Sequence, residues 1–125
     1  MDATPLAALQ DRLVTLLSEL SVRRGSFTLA SGRQTDFYVD ARQTTLNAEG
    51  SWLVGRLVLE RLRDDVVGVG GVTLGADPIA VAAATVGYSL DRPIHAFLIR
   101  KAAKGHGTGR FVEGMASLPE GSRVA

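Results

Sequence analysis

The sequence predicts an α/β fold built on a parallel sheet, and three observations predict it. Stretches with helical spacing alternate with short apolar runs. One of those runs, Val66-Val67-Gly68-Val69-Gly70, reads as a buried strand, and a second, Ile94-His95-Ala96-Phe97-Leu98-Ile99, as an apolar run that holds another strand. The first leads through a glycine-rich turn into a helix opened by Asp77-Pro78, and this strand, turn and helix rhythm is that of parallel α/β sheets.

Taken in order, Thr4 precedes Pro5 as an N-cap precedes a proline at the first helical position, and Leu6, Leu9, Leu13, Leu16, Leu17 and Leu20 recur at helical spacing. The pattern predicts an amphipathic helix ending near Gly25, with a leucine stripe for core or dimer packing and no chemistry of its own. Phe27-Thr28-Leu29 and Asp36-Phe37-Tyr38-Val39-Asp40 are strand candidates joined by a Ser31-Gly32 turn. Alternation puts Phe37 and Val39 on one face and Tyr38 and Asp40 on the other.

Asn47 then caps a helix over about residues 48–63, with Trp52, Leu53, Leu57, Leu59 and Leu62 apolar. After the strand at 66–70, Gly71 to Ala76 form a turn, and Asp77 caps a helix from Ile79 to Val86. His95 to Ile99 are the next strand. Pro119-Glu120-Gly121-Ser122 mark a turn, and Arg123-Val124-Ala125 look like the start of a further buried strand.

Composition bounds the function. The 125 residues make one domain by length, and 46% apolar content is ordinary for a globular chain. A net charge of +1 from 14 basic and 13 acidic residues provides no overall field for nucleic acid or an anionic membrane, so anion binding must be local. The absence of cysteine excludes disulfides, thiolate metal sites and cysteine nucleophiles, and fits a reducing cytoplasm. No apolar run approaches the ~20 residues that span a bilayer, and no basic leader opens the chain, so a soluble cytoplasmic protein is expected.

The charges are unevenly placed. The only two lysines, Lys101 and Lys104, lie with Arg100 and His106 in Arg100-Lys101-Ala102-Ala103-Lys104-Gly105-His106-Gly107, four possible cations within seven residues. A solvated charge cluster in an ordinary connection is the plain alternative. Against it, ammonium groups occur only here, where a point charge on a long stem can follow a phosphate, and the adjoining glycines predict a mobile lid.

Gly68, Gly70, Gly71 and Gly75 between strand and helix offer a phosphate cradle, with close packing as the alternative explanation. The dinucleotide fingerprint fails because Thr73 stands where its third glycine belongs, and the nucleotide P-loop fails because no lysine follows these glycines. His95 lies in an apolar strand and reads as a core histidine. The two histidines make no metal site of recognisable spacing, so any Mg²⁺ should arrive with a phosphorylated ligand. With no nucleophile elbow and no evident acid–base pair of carboxylates, the groups present suit charge neutralisation of a leaving group.

Three motifs carry a resemblance: Phe27-Thr28-Leu29-Ala30-Ser31-Gly32-Arg33 with Asp36-Phe37-Tyr38-Val39-Asp40, then Gly70-Gly71-Val72-Thr73-Leu74-Gly75-Ala76-Asp77-Pro78, then the lysine segment. In this order, and over essentially the whole chain, they resemble orotate phosphoribosyltransferase. The resemblance implies a type I phosphoribosyltransferase fold in which residues 1–45 give a helix and hood strands and 46–125 the first part of the α/β core. It also implies a homodimer, Mg²⁺ bound with the diphosphate substrate, and transfer of phosphoribosyl from 5-phosphoribosyl 1-diphosphate to orotate, giving orotidine 5′-monophosphate and pyrophosphate in pyrimidine synthesis.

Carried over by motif, Lys104 and His106 act on the departing diphosphate, with Lys101 beside them. Arg100 and Lys101 hold and orient it, the loop being shared across subunits. Thr73, Leu74 and Gly75 fall in the diphosphate-contacting turn and Tyr38 near the orotate ring. Some relatives carry lysine where this chain has Ala30, and an aromatic-lysine pair where it has Leu74-Gly75, so the lysine segment must supply more of the charge. The family continues from the strand at Arg123-Val124-Ala125 into paired acidic residues and a Thr/Gly loop that grips the ribose 5′-phosphate. These 125 residues are therefore expected to be an N-terminal portion, its C-terminal part missing, with negligible transferase activity alone. A regulator that binds the sugar diphosphate without turnover is the competing reading. A nucleic-acid module is disfavoured by 6% aromatic content and near-zero net charge.

Overall fold

The computed structural model describes residues 4–102 and 111–125. Helix α1 (Leu6–Leu16) buries Leu9 and Leu16 against Leu53 and Leu57 of α3 (Ala48–Arg61), as the leucine stripe predicts. An exposed bidentate pair joins the same helices, Arg12 Nε and Nη2 donating to Glu49 Oε2 and Oε1 at 2.7 Å each. The helix starts one residue later than expected. Pro5 is its N-cap and not its first turn, and the Pro5 carbonyl accepts from the N–H groups of Ala8 and Leu9.

The helix also stops before Gly25. A single π turn, Leu17–Ser21, leads directly into strand β1 (Val22–Thr28) because Val22 already pairs with Val39 of β2 (Gln34–Val39). Ser21 fixes the junction: its hydroxyl shares a buried 2.6 Å hydrogen bond with Thr44 Oγ1, and its carbonyl accepts from Asp40 N–H at 2.9 Å. Thr44 lies in the short helix α2 (Arg42–Thr45). Strands β1 and β2 form a separate two-stranded antiparallel hood, with a bulge between Arg24 and Phe27. Leu29, expected in the strand, is instead in the turn, where its N–H donates to the Arg33 carbonyl.

Asn47 caps α3 as expected, its side-chain oxygen accepting from Gly50 N–H at 3.0 Å. Leu53, Leu57 and Leu59 are buried, whereas Trp52 remains exposed. Helix α4 (Asp77–Ser89) packs on α3 so closely that a Cβ at Gly55 would lie 2.6 Å from the Ala82 carbonyl oxygen. Leu59, Val69, Ala80, Ala83, Val86 and Ile94 close the core between these helices and the sheet.

The main sheet has the order β5-β4-β3-β6. Strands β3 (Val66–Val72), β4 (His95–Ile99) and β6 (Arg123–Val124) are parallel, as predicted. The sheet is mixed because β5 (Val112–Glu113), which the sequence did not reveal, runs antiparallel to β4. Strand β3 also runs two residues beyond the expected Gly70, since Gly71 and Val72 continue the pairing with Leu98 and Ile99. No helix among the described residues is long and apolar enough to cross a membrane.

Candidate functional site

The parallel register brings Val72 beside Ile99, so the turn after β3 and the segment after β4 leave the sheet side by side at the carboxyl ends of adjacent strands. That edge is where ligands of open α/β sheets bind. Thr73 N–H donates to the Ile99 carbonyl at 3.0 Å, tying the turn to the residue before Arg100. The Thr73–Leu74 peptide is cis.

Of the four glycines proposed as a phosphate cradle, packing explains three. Gly68 faces Leu118 and Val124, Gly70 lies beneath the Phe97 ring, and a Cβ at Gly71 would sit 2.7 Å from that of Ala76. All three belong to β3. Only Gly75 is in the turn, where a Cβ would meet nothing within 4 Å. Among the described residues, the N–H groups of Leu74 and Gly75 donate to no acceptor. They stand beside the N-terminus of the 13-residue α4, where peptide dipoles favour an anion.

Asp77 is not the helix cap that the sequence suggested. Ala76 holds that position with no side-chain cap bond, and the Asp77 carboxylate turns back to accept from Thr73 Oγ1 at 2.7 Å. Residues four apart across a turn of this kind can close such a ring. The Thr73-x-x-x-Asp77 spacing is the signal in the sequence, and Asp77-Pro78 carries the competing signature of a helix start.

Arg100 is half-buried, its backbone N–H donating to the Phe111 carbonyl and its Nε to Glu113 Oε1 at 3.0 Å. Part of its charge is thus answered by β5. Lys101 is exposed next to it. Lys104 and His106 lie outside the described residues, as do Gly105, Gly107 and Gly109. Tyr38 is on the hood, 43% exposed, with its ring centroid 5.9 Å from that of Phe27. The structure therefore groups Thr73, Leu74, Gly75, Arg100 and Lys101 at one sheet edge, with Tyr38 on a different element.

No protein-family model matches the chain. Over 119 residues, 95% of this chain and 57% of the relative, it is 43% identical to orotate phosphoribosyltransferase of Nostoc sp.. Over 113 residues, 90% of this chain and 60% of the relative, it is 50% identical to orotate phosphoribosyltransferase of Mycobacterium tuberculosis. The crystal structure of the Mycobacterium tuberculosis enzyme in complex with 5-phospho-alpha-D-ribosyl 1-diphosphate matches with a TM-score of 0.63 and 40% identity, covering 85% of this chain and 56% of that one. The chain is thus similar to orotate phosphoribosyltransferases over most of its length and shares their α/β architecture, while spanning less than two thirds of the curated relatives' length.

Proposed function

We propose that this chain supplies the diphosphate-binding and base-binding parts of an orotate phosphoribosyltransferase. The observation that carries the reading is the turn Thr73-Leu74-Gly75, where the N–H groups of Leu74 and Gly75 donate to no acceptor among the described residues and face open space, set beside Arg100 and Lys101. Similarity to enzymes of that name supports orotate as the acceptor.

In this reaction a ring nitrogen of orotate bonds to C1 of the ribose while the bond from C1 to the diphosphate oxygen breaks. The electron pair leaves with pyrophosphate, and the nitrogen loses its proton. Positive charge grows on C1 and negative charge on the departing oxygens. Groups that bind those oxygens more tightly as the bond breaks lower the barrier. Fixed N–H dipoles at Leu74 and Gly75 suit the diphosphate without needing to reorganise, Lys101 adds net charge, and Arg100 adds donors and the part of its charge that Glu113 leaves unanswered. Lys104 and His106 take the role of neutralising the leaving group, and Tyr38 that of an aromatic surface for the base.

Mg²⁺ is assigned to the substrate. It would arrive with the diphosphate, keep several waters and supply positive charge to the departing oxygens, and no step above depends on it. A homodimer in which the lysine segment reaches the neighbouring site completes the reading. The test is pyrophosphate release by the natural protein that carries this chain. Release that requires both orotate and the sugar diphosphate is expected, whereas tight binding of the sugar diphosphate without turnover would replace the transferase with a regulator.

A further inference from the structure

We infer that Asp77 is a positioning residue for the diphosphate-binding turn, acting through Thr73. The inference rests on the reading of that turn as a diphosphate site. A carboxylate suits the start of a helix, yet beside a polyanion site its negative charge opposes the ligand. Its geometry explains its presence.

Three hydrogen bonds link the ends of the turn: Thr73 Oγ1 donates to Asp77 Oδ2 at 2.7 Å, and the longer backbone bonds run from Asp77 N–H to the Leu74 carbonyl and from Ala76 N–H to the Val72 carbonyl, at 3.3 Å each. Together with the bond from Thr73 N–H to Ile99, they fix residues 73–77 against both β4 and α4. Leu74 and Gly75 lie between these anchors with their own N–H groups uncommitted. Removing the anchor would let the turn sample other arrangements, and apparent affinity falls with the fraction of molecules that hold the competent one.

The carboxylate is not placed there for other work. It makes no side-chain cap bond to α4. Its second oxygen, Oδ1, is buried and has no partner among the described residues, so no cation in that set compensates it. The residue lies in the first turn of α4, at the positive end of the helix dipole.

Geometry and charge predict opposite outcomes for two substitutions. Asp77→Ala removes the acceptor, whereas Asp77→Asn keeps an oxygen for Thr73 and removes only the charge. Pyrophosphate binding, measured by titration calorimetry on the natural protein with Mg²⁺ present, should weaken about tenfold in Asp77→Ala, the scale of one charge-assisted hydrogen bond. Asp77→Asn should bind at least as tightly as the unsubstituted protein. Thr73→Val should weaken binding like Asp77→Ala, and the double variant should be no weaker than the weaker single one, because both remove the same bond.

In turnover, Asp77→Ala should raise KM for the sugar diphosphate and leave KM for orotate unchanged, a split that loss of general stability would not give. Thermal melting of each variant identifies any that fail to fold, and if Asp77→Ala is among them Thr73→Val, which repulsion alone would not weaken, carries the comparison with Asp77→Asn. Tighter binding in both Asp77 variants would show that the residue acts only by repulsion and would overturn the inference, as would additive losses in the double variant. An unsubstituted protein that does not bind pyrophosphate would overturn the reading of the turn and the positioning role together, whereas unchanged binding in Asp77→Ala would overturn the positioning role alone.

Discussion

The hood and the edge of the main sheet both contribute candidate ligand contacts, yet they are built in opposite ways. At the sheet edge every anchor is covalently close or hydrogen-bonded: Val72 pairs with Ile99, Thr73 with Asp77, and the helices beneath bury Leu59 and Ala83 almost completely. In the hood, two strands pair with each other and leave Phe37, Tyr38 and Val39 between 43% and 49% exposed. Alternation therefore does not divide this hairpin into a buried and a solvated face. The difference separates two kinds of recognition. A charged, rigid ligand part suits a fixed set of N–H dipoles, whereas a flat heterocycle suits an apolar surface that it covers on arrival.

The sharpest way to break the comparison is to damage each region and measure stability. Leu59→Ala empties space in the core and should cost about 2–5 kcal/mol, read as a lowered midpoint in denaturant unfolding. Tyr38→Ala should change the unfolding free energy by less than about 0.5 kcal/mol while weakening orotate binding. A large stability loss from Tyr38→Ala would mean that the hood is part of the core. At the sheet edge, Gly75→Ala meets no neighbour and should leave melting unchanged, yet its methyl group occupies the open space by the turn. About tenfold weaker binding of the sugar diphosphate is expected, and unchanged affinity would move the ligand away from Gly75.

The smallest effect belongs to the pair between α1 and α3. Hydrogen bonds from the Arg12 guanidinium hold the Glu49 carboxyl below the usual carboxylate range, and the same bonds raise the Arg12 pKa. A depressed folded-state pKa contributes stability above the ordinary range, and this is lost as pH falls through the depressed value. Glu49→Gln should thus lower the melting temperature slightly at neutral pH and not at all in strong acid. Both side chains are 47% exposed, so solvent screening keeps the difference small.

The elements that sequence made legible are those fixed by local chemistry. Asn47 announces the start of α3 because its side chain serves a nearby N–H, and apolar runs announce β3 and β4 because both are interior strands of the sheet, the first partly buried and the second half-buried along its length. What was hidden depends on distant partners. The end of α1 is set by Val39 and Thr44, which hold Val22 and Ser21, so nothing within the helix marks it. Strand β5 is two residues long and exists through pairing with Leu98 and Ile99. The candidate site divides in the same way. Thr73 and Gly75 stood out as part of a motif, whereas the role of Asp77 required its side-chain direction, and the Arg100–Glu113 pair required β5.

The position of β3 in the sheet has a consequence for how the chain is made. The hood hairpin joins neighbours in sequence, so it can close soon after Val39 leaves the ribosome. Strand β3 is synthesised before both of its partners: β4 arrives after a whole helix, and the backbone of Ala125, which exchanges hydrogen bonds with Gly68 and Gly70, arrives last. Until then a glycine-rich edge remains open to any extended segment nearby. The strand that carries the turn thus waits with an edge open to mispairing, and α3 and α4 can shield its face but not its edge during that interval.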